Sequence, residues 1–236
     1  MNIAVFGANG GTGRLVARFA AEAGHPVTAV TRHPETFPFE HPNLRVVAGD
    51  AYDLGDVRRA IEGAGAVIST LGVPYSRKPI SIYSQGTGTI VEAMRSEGIS
   101  RLVCVSSSAT DPATRFHDTG GGFFFEKVLK PLITKTLGRE TYADMLRMEQ
   151  LVMASDLDWT IARPSGLFET DAVTAYETAE GFLPRQYTSR ADLADALLRV
   201  VTDADRHWSR KTMAVATVDP QPRVLDLMRQ EAFQRN

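Results

Sequence analysis

Three glycines near the amino terminus have the spacing of a dinucleotide-binding loop. Gly7, Gly10 and Gly13 lie between an apolar run over residues 3–6 and an amphipathic segment over 11–23. In such a loop the first glycine makes the sharp exit from the strand. The second lets a diphosphate approach the backbone, and the third allows the helix to pack closely on the strand. The free N–H groups at the start of the helix favour an anion. The predicted cofactor contacts in this loop are Gly7, Asn9, Gly10, Gly11, Thr12 and Gly13.

The residue that follows the second apolar run is the main clue to the identity of the nucleotide. In sites for NAD, an Asp or Glu commonly ends the second strand and holds the ribose 2′-hydroxyl. Here the run over residues 27–31 is followed by Arg32. A guanidinium suits a 2′-phosphate, through charge-assisted hydrogen bonds of about 1.5–3 kcal/mol. We therefore predict NADP(H) as the preferred cofactor and NAD(H) as a possible one, with a solvated surface arginine as the alternative interpretation of Arg32.

Small and acidic residues follow the third and fourth apolar runs. Asp50, after the third run, could lie at the adenine edge of the cofactor or could cap the next helix. The fourth run ends in Thr70 and is followed by Leu71 and Gly72, at the sheet edge where a dinucleotide crosses. The predicted cofactor contacts on these two segments are Asp50, Ala51, Thr70, Leu71 and Gly72.

Short apolar runs alternate with longer amphipathic segments through the first 106 residues. Continuous apolar strands between amphipathic helices indicate a parallel sheet that is covered on both faces. We therefore predict an α/β fold, a doubly wound parallel sheet of the Rossmann type. The predicted strands cover residues 3–6, 27–31, 44–48, 66–70, 102–106, 159–162 and 212–216. The predicted helices cover residues 11–23, 53–62, 84–96, 140–155, 189–201 and 224–234, with a further helical stretch that ends near 137.

The length of the chain and its sequence pattern predict a single domain. Its 236 residues contain no internal repeat and no low-complexity linker. Residues 1–165 form the core of the predicted NAD(P)-binding domain, and substrate-side elements are expected within 109–140 and 166–188. The Gly120–Phe125 segment places three glycines before three phenylalanines. Because exposed phenylalanines need an apolar partner, this segment is interpreted as a lid or as an interface with a second subunit.

Composition and charge exclude several other classes of function. The chain has 26 Lys and Arg against 28 Asp and Glu, a net charge of −2, which offers no general attraction for nucleic acid or anionic lipid. No apolar stretch reaches the length of about 20 residues that a membrane span needs, and the amino terminus lacks the basic region of a signal peptide. The single cysteine, Cys104, excludes an internal disulfide, and the five histidines lack metal-ligand spacing. We expect a cytoplasmic monomer or homodimer that acts on a small molecule and holds no metal.

Several motifs in order along the chain resemble those of one known group of enzymes. They are Gly7–Gly13, Val30–Arg32, Gly49-Asp50, Val105–Ser108, Leu157–Pro164 and Ser189–Ala194. Together they resemble the atypical short-chain dehydrogenase/reductases with NAD(P)-binding Rossmann domains, in the biliverdin reductase B/flavin reductase-like and NmrA-like branch. The resemblance covers most of the chain and is specific for the fold. The branch contains reductases of varied substrates and also cofactor-binding regulators, so the resemblance is not specific for one activity.

The resemblance also implies roles for residues at the ends of the fifth and sixth strands. Ser108 matches the family's catalytic serine best and Ser107 next, while Ser106 is expected to contact the cofactor. An alternative is that these serines only cap the strand end and bond the cofactor ribose. Pro164 and Ser165 correspond to a loop that touches the nicotinamide amide through its backbone in the family.

The family's usual Tyr-x-x-x-Lys pair has no counterpart in this sequence. None of the six tyrosines is followed four positions later by lysine, and Tyr142, the closest in position, is followed by Leu146. A tyrosinate proton relay is therefore not expected. This argues against alcohol dehydrogenases, epimerases and dehydratases, which must move a hydroxyl proton.

Glu149 is the remaining candidate for proton transfer. It lies between Met145 and Val152 on the apolar stripe of the helix that would carry the tyrosine. It could be an acid with a raised pKa, could pair with Arg163, or could face water. The predicted catalytic residues are thus Ser108, Ser107 and Glu149.

These residues and the family resemblance support two hypotheses about function. The first is an NADPH-dependent reductase that transfers hydride to a planar acceptor such as a flavin, a quinone or a conjugated carbonyl, because such acceptors need no dedicated Tyr–Lys acid. The alternative is a non-catalytic NADP(H)-sensing regulatory protein, which the missing pair supports equally.

Overall fold

One eight-stranded sheet dominates the described part of the chain. The computed structural model describes residues 1–74, 78–115 and 138–222. Its strands are β1 (Ile3–Phe6), β2 (Val27–Thr31), β3 (Leu44–Ala48), β4 (Ala66–Ser69), β5 (Arg101–Val105), β6 (Asp158–Pro164), β7 (Gly166–Phe168), β8 (Ala175–Glu180), β9 (Tyr187–Ser189) and β10 (Lys211–Asp219). The sheet order is β3-β2-β1-β4-β5-β6-β10-β8. Within it, β8 pairs antiparallel with β10 and the other pairs are parallel. This is the predicted doubly wound Rossmann sheet, and the predicted fold class is confirmed.

Helices cover both faces of this sheet. Within the described residues they are α1 (Gly11–Glu22), α2 (Leu54–Ile61), α3 (Thr87–Ser96), α4 (Arg139–Met153) and α5 (Arg190–Thr202). A π-helical turn, Ile82–Gly86, precedes α3. The predicted helices over 11–23, 53–62, 84–96, 140–155 and 189–201 match these elements closely. The stretch that ends near 137, the helix over 224–234 and the Gly120–Phe125 segment lie outside the described residues.

The core consists of two hydrophobic clusters, one on each face of the sheet. In β1, Ile3 and Val5 pack with α1 and α5, whereas Ala4 and Phe6 pack with α2, α3 and α4. Successive side chains of a strand point to opposite faces, so a continuous apolar run fills both clusters at once. Cys104 of β5 lies in the second of these clusters with no exposed surface, so its thiol is buried within the sheet.

The segment between β6 and α5 forms a small structure that sequence reasoning treated only as a substrate-side element. There, β7 pairs in parallel with β9, and β8 lies at the edge of the main sheet. The fully buried carboxylate of Asp192 in α5 accepts hydrogen bonds from the backbone and hydroxyl of Thr174, at 2.6 and 2.8 Å, and from the hydroxyl of Thr217. These bonds hold residues 166–189 against the carboxyl end of the sheet.

Candidate active site

The glycine loop connects β1 to α1 in a space that only glycine fits. Gly7 has φ +71°, and a Cβ there would lie 2.6 Å from the carbonyl oxygen of Thr70. A Cβ on Gly13 would overlap the carbonyl oxygen of Gly7 and lie 2.7 Å from Oγ1 of Thr70. The Thr70 hydroxyl in turn donates to the carbonyl of Phe6 at 2.9 Å. The hydrogen bond of Thr70 therefore joins the carboxyl ends of β1 and β4, and the glycine loop packs directly against them.

The amino terminus of α1 presents backbone donors that no side chain caps. Its N-cap residue is Gly10, which supplies no side-chain hydrogen bond. By contrast, Asp53 caps α2 by accepting from the N–H of Asp56 at 2.8 Å, and Ser189 caps α5 by accepting from the N–H of Asp192 at 3.0 Å. First-turn N–H groups have no partner within a helix, so those of α1 form a cradle for an anion. The predicted glycine contacts thus fit the diphosphate of a dinucleotide.

Asn9 joins the glycine loop to the turn that follows β2. Its Oδ1 accepts from Nε and Nη2 of Arg14, at 2.9 and 2.6 Å, and its Nδ2 donates to Oγ1 of Thr36 at 2.7 Å. The Thr36 hydroxyl donates to the carbonyl of His33 at 2.9 Å. This chain of bonds fixes the turn directly after Arg32. Sequence reasoning found Asn9 but missed Arg14 and Thr36, because their pairing depends on how the two loops lie in space.

Arg32 extends from the carboxyl end of β2 beside this loop. Its side chain is exposed, and it forms no hydrogen bond or ion pair with the described residues. Its place agrees with the predicted contact to a ribose 2′-phosphate. That contact, and the alternative of a solvated surface arginine, stay predictions.

The ends of β3 and β4 meet at the π-helical turn before α3. A Cβ on Gly86 of that turn would lie 3.1 Å from Leu71 and 3.4 Å from Ala51, so these two predicted contact residues lie side by side. Asp50 does not cap α2, because Asp53 does. Its carboxylate instead accepts from the N–H of Tyr52 at 3.0 Å. The alternative interpretation of Asp50 as a helix cap is therefore wrong, and its place at the adenine edge stays a prediction.

The three serines after β5 have different environments. The hydroxyl of Ser106 is buried and has no hydrogen-bond partner among the described residues. Ser107 accepts from the N–H of Ala109 at 3.2 Å and caps a 3-10 turn. Ser108 lines a narrow cleft. A buried hydroxyl without a partner is costly, so Ser106 is a donor available to a bound cofactor. The three serines thus separate into a buried donor, a local cap and a cleft residue.

A buried charge network lies behind this cleft. Arg163 donates from Nε and Nη2 to the two carboxylate oxygens of Glu149, at 3.1 and 2.7 Å, and from Nη1 to Asp111 at 2.8 Å. Thr110 donates to Glu149 at 2.7 Å, and Glu149 is 3% exposed. Of the three interpretations of Glu149, the structure therefore selects the pair with Arg163 and rejects a carboxylate that faces water. Asp111 was not anticipated from the sequence.

The network also sets the pKa of two neighbouring groups. Burial by itself opposes a charged guanidinium, but the hydrogen bonds to Glu149 and the charges of Glu149 and Asp111 raise the pKa of Arg163 above its ordinary value. Burial, with a smaller contribution from the charge of Glu149, raises the pKa of the Cys104 thiol far above its usual range. Neither group is therefore available as an acid or a nucleophile near neutral pH.

The loop after β6 is held by the residues that precede α5. The N–H of Ser165 donates to Oγ1 of Thr188 at 2.9 Å, and the Ser165 hydroxyl donates to the carbonyl of Arg185 at 2.9 Å. Both donors of Ser165 are thus used within the protein. The predicted backbone contact of Pro164 and Ser165 with a nicotinamide amide can therefore come only from their carbonyl groups.

The cleft itself lies between these elements. Its walls include Ser108, Asp111, Arg163, Ser165, Phe182 and Leu183. The two charged groups on the wall bind each other, while Phe182 and Leu183 supply an apolar surface. The cleft therefore combines two hydroxyls, of which that of Ser165 is bonded to the Arg185 carbonyl, with an apolar wall, and it contains no poised acid or base among these residues.

Comparisons with known proteins agree with this geometry. A family model described as NAD(P)H-binding matches residues 7–204, from the first loop glycine to just beyond α5. The chain belongs to the NAD(P)H-binding family. Its fold is the NAD(P)-binding Rossmann fold that the sequence resemblance implies. Within the described residues, no group of three or more metal-ligating side chains occurs, and no helix is long and apolar enough to cross a membrane.

Individual relatives of this NAD(P)H-binding protein are distant in sequence. A 3-beta-hydroxysteroid dehydrogenase from Mycolicibacterium neoaurum is 27% identical over 118 residues, which are 45% of this chain and only 32% of that protein. A short-chain dehydrogenase/reductase from Veillonella parvula, solved in complex with NADP, has a TM-score of 0.73 at 19% identity, over 92% of this chain and 94% of that chain. ChuY from Escherichia coli O157:H7, described as an anaerobillin reductase, has a TM-score of 0.73 at 23% identity, over 94% and 100% of the two chains. At these identities the structures show the fold alone.

Proposed function

We propose that this protein is an NADPH-dependent reductase that transfers hydride to a planar acceptor such as a flavin, a quinone or a conjugated carbonyl. The observation that supports the proposal is that two features occur together: the amino terminus of α1 has no side-chain cap, and the guanidinium of Arg32 is exposed at the end of the neighbouring strand β2. The cradle suits a diphosphate, and Arg32 suits a 2′-phosphate. When bound, NADPH supplies a hydride from its nicotinamide ring.

The residues of the chain position the two reactants. Ser106 offers a buried hydroxyl to the cofactor, and the carbonyl groups of Pro164 and Ser165 lie at the next strand end. Ser108 lines the cleft beside the apolar wall of Phe182 and Leu183, where its hydroxyl orients the edge of the acceptor. Stacking of the acceptor on the nicotinamide ring would bring donor and acceptor atoms together and exclude water.

The charge network favours an acceptor that needs no acid from the protein. Glu149 and Asp111 are both bonded to Arg163, and among the described residues no side-chain hydrogen bond links this network to Ser108. Flavins and quinones accept a hydride and take their proton from solvent, so the missing Tyr-x-x-x-Lys pair does not prevent their reduction. The roles of Ser107 and Glu149 are accordingly local: one caps a turn, and the other balances a buried charge. A structural neighbour described as a reductase also supports this reaction class.

The experiment is a turnover assay with purified protein. NADPH oxidation is followed by its near-ultraviolet absorbance with a panel of a free flavin, a simple quinone and a conjugated aldehyde. We expect oxidation that depends on the acceptor, and Ser108→Ala should lower kcat/KM for the acceptor about tenfold while the Kd for NADPH stays the same. Protein that binds NADPH but oxidises none with any member of the panel would instead support the NADP(H)-sensing alternative.

A further inference from the structure

The side chain of Arg190 lies across the first turn of α1. Arg190 is the first residue of α5, and its Nη1 donates to Oγ1 of Thr12 at 3.3 Å. A Cβ on Gly11 would lie 2.9 Å from Cδ and 3.1 Å from Nε of Arg190. A guanidinium thus lies at the end of the helix that binds the diphosphate, 178 residues away in sequence.

This contact explains a glycine that the loop motif leaves unexplained. The spacing of Gly7, Gly10 and Gly13 accounts for three glycines, whereas Gly11 is a fourth. Gly7 and Gly13 are required by nearby backbone atoms, whereas the three atoms nearest to a Cβ on Gly11 all belong to the side chain of Arg190. Gly11 therefore keeps the surface of the first turn open for Arg190 to lie on.

A carboxylate holds Arg190 in this place. Oε1 of Glu169, the residue after β7, lies 2.7 Å from Nε of Arg190. The Arg190 side chain is 24% exposed and that of Glu169 is 44% exposed, so both remain open to a ligand from solvent. Glu169 thereby brings a negative charge next to the amide cradle, where it would repel a bound diphosphate.

We propose that Arg190 is a ligand of the cofactor diphosphate and that Glu169 is the anion which the diphosphate displaces from it. The proposal rests on the cofactor site of the proposed function and adds a specific ligand from the start of α5. A guanidinium has five N–H donors, so Arg190 can keep its bond to Thr12 while it exchanges the carboxylate for phosphate oxygens. Because Glu169 follows β7, the exchange also links cofactor binding to the segment that lines the acceptor cleft.

The test is calorimetric titration of NADPH, without acceptor, into three variants and the wild type. Arg190→Met should raise the Kd about 10- to 100-fold, the effect expected for a lost charge-assisted bond. Glu169→Gln should lower the Kd about three- to tenfold, because a competing and repelling charge is removed. Glu177→Gln is the matched control, since Glu177 pairs with Arg185 at 2.8 Å in the same segment and is not among the described contacts of the glycine loop. Its Kd should equal that of the wild type.

The opposite signs of the two effects separate this proposal from a structural role. If Glu169 only positioned Arg190, Glu169→Gln would weaken binding as Arg190→Met does, and the displacement would be refuted. An unchanged Kd for Arg190→Met would refute the ligand. Binding of 2′-AMP, which carries a 2′-phosphate but no diphosphate, should be the same in Arg190→Met and the wild type. A loss there would show general damage to the site and would overturn the assignment. Wild-type protein that binds neither NADPH nor NADH would refute the proposed function itself, whereas normal wild-type binding with no change in any variant would refute only this inference.

Discussion

Removal of Arg163 should destabilise the protein strongly. Arg163 is 8% exposed and makes three hydrogen bonds, of 3.1, 2.7 and 2.8 Å, to the carboxylates of Glu149 and Asp111. In Arg163→Met both carboxylates lose their only described cation. Breaking a buried ion pair in this way costs about 3–5 kcal/mol, because it leaves uncompensated charge in a poorly solvated place. Since domains unfold with only about 5–15 kcal/mol, this is a large share of the stability.

The assay is the free energy of unfolding from urea denaturation, for Arg163→Met and for two comparison variants. Arg185→Met breaks the exposed pair with Glu177 and should leave the free energy of unfolding nearly unchanged. The double variant Arg163→Met/Glu149→Met removes the more buried carboxylate as well, so it should be more stable than Arg163→Met alone.

The pH dependence supplies a further check on the same reasoning. In Arg163→Met, protonation of a stranded carboxylate removes its charge, and the folded state then takes up protons more readily than the unfolded state. The stability gap to the wild type should therefore narrow as the pH is lowered. A loss no larger than that of Arg185→Met, or a gap that widens at low pH, would refute the account of the network.

The remaining predictions concern the glycine loop and the buried thiol. Gly7→Ala should lower the free energy of unfolding by more than about 2 kcal/mol and abolish NADPH binding, because φ is +71° and the new Cβ would lie 2.6 Å from the Thr70 carbonyl oxygen. Gly24→Ala is the control, because φ is +84° but no atom lies within 4 Å of the new Cβ; it should lower the free energy of unfolding by only about 1 kcal/mol and keep NADPH binding. Equal losses of unfolding free energy in the two variants, measured by urea denaturation, would contradict the steric argument. The thiol of Cys104 should react with a disulfide reagent at least about a thousandfold more slowly in native than in urea-unfolded protein, because burial raises its pKa and excludes the reagent. Rapid labelling of the native protein would show that the strand is accessible.

The fold was predictable because its signals are local. An apolar run such as Val27–Thr31 fills both faces of a sheet, and the amphipathic segment that follows each run must cover one of them. The predicted position of the cofactor contacts follows from the same pattern, since the carboxyl ends of parallel strands meet at one edge. The glycine spacing adds the diphosphate cradle. The edge strand β8 carried no such signal, because its residues are mostly exposed and do not form an apolar run.

The parts of the site that escaped prediction depend on pairs distant in sequence. Arg163 meets Asp111 across 52 residues, and Arg190 meets Thr12 across 178. The hydrophobic periodicity of the sequence gives no information about such long-range contacts. Local competition excludes the alternative interpretation of Asp50 as a helix cap, because Asp53, three residues later, is the side chain that reaches the first turn of α2. Glu149 could be placed on its helix face, but only the fold shows that Arg163 neutralises it.

The central claim is that the cradle of α1 and Arg32 together bind a 2′-phosphorylated dinucleotide. It is tested most directly by isothermal titration of NADPH and NADH into wild-type protein under identical conditions. The account predicts that NADPH binds about 10- to 100-fold more tightly, the contribution of one charge-assisted contact to the 2′-phosphate. Equal affinities would contradict the role of Arg32, and no heat with either nucleotide would contradict the site as a whole.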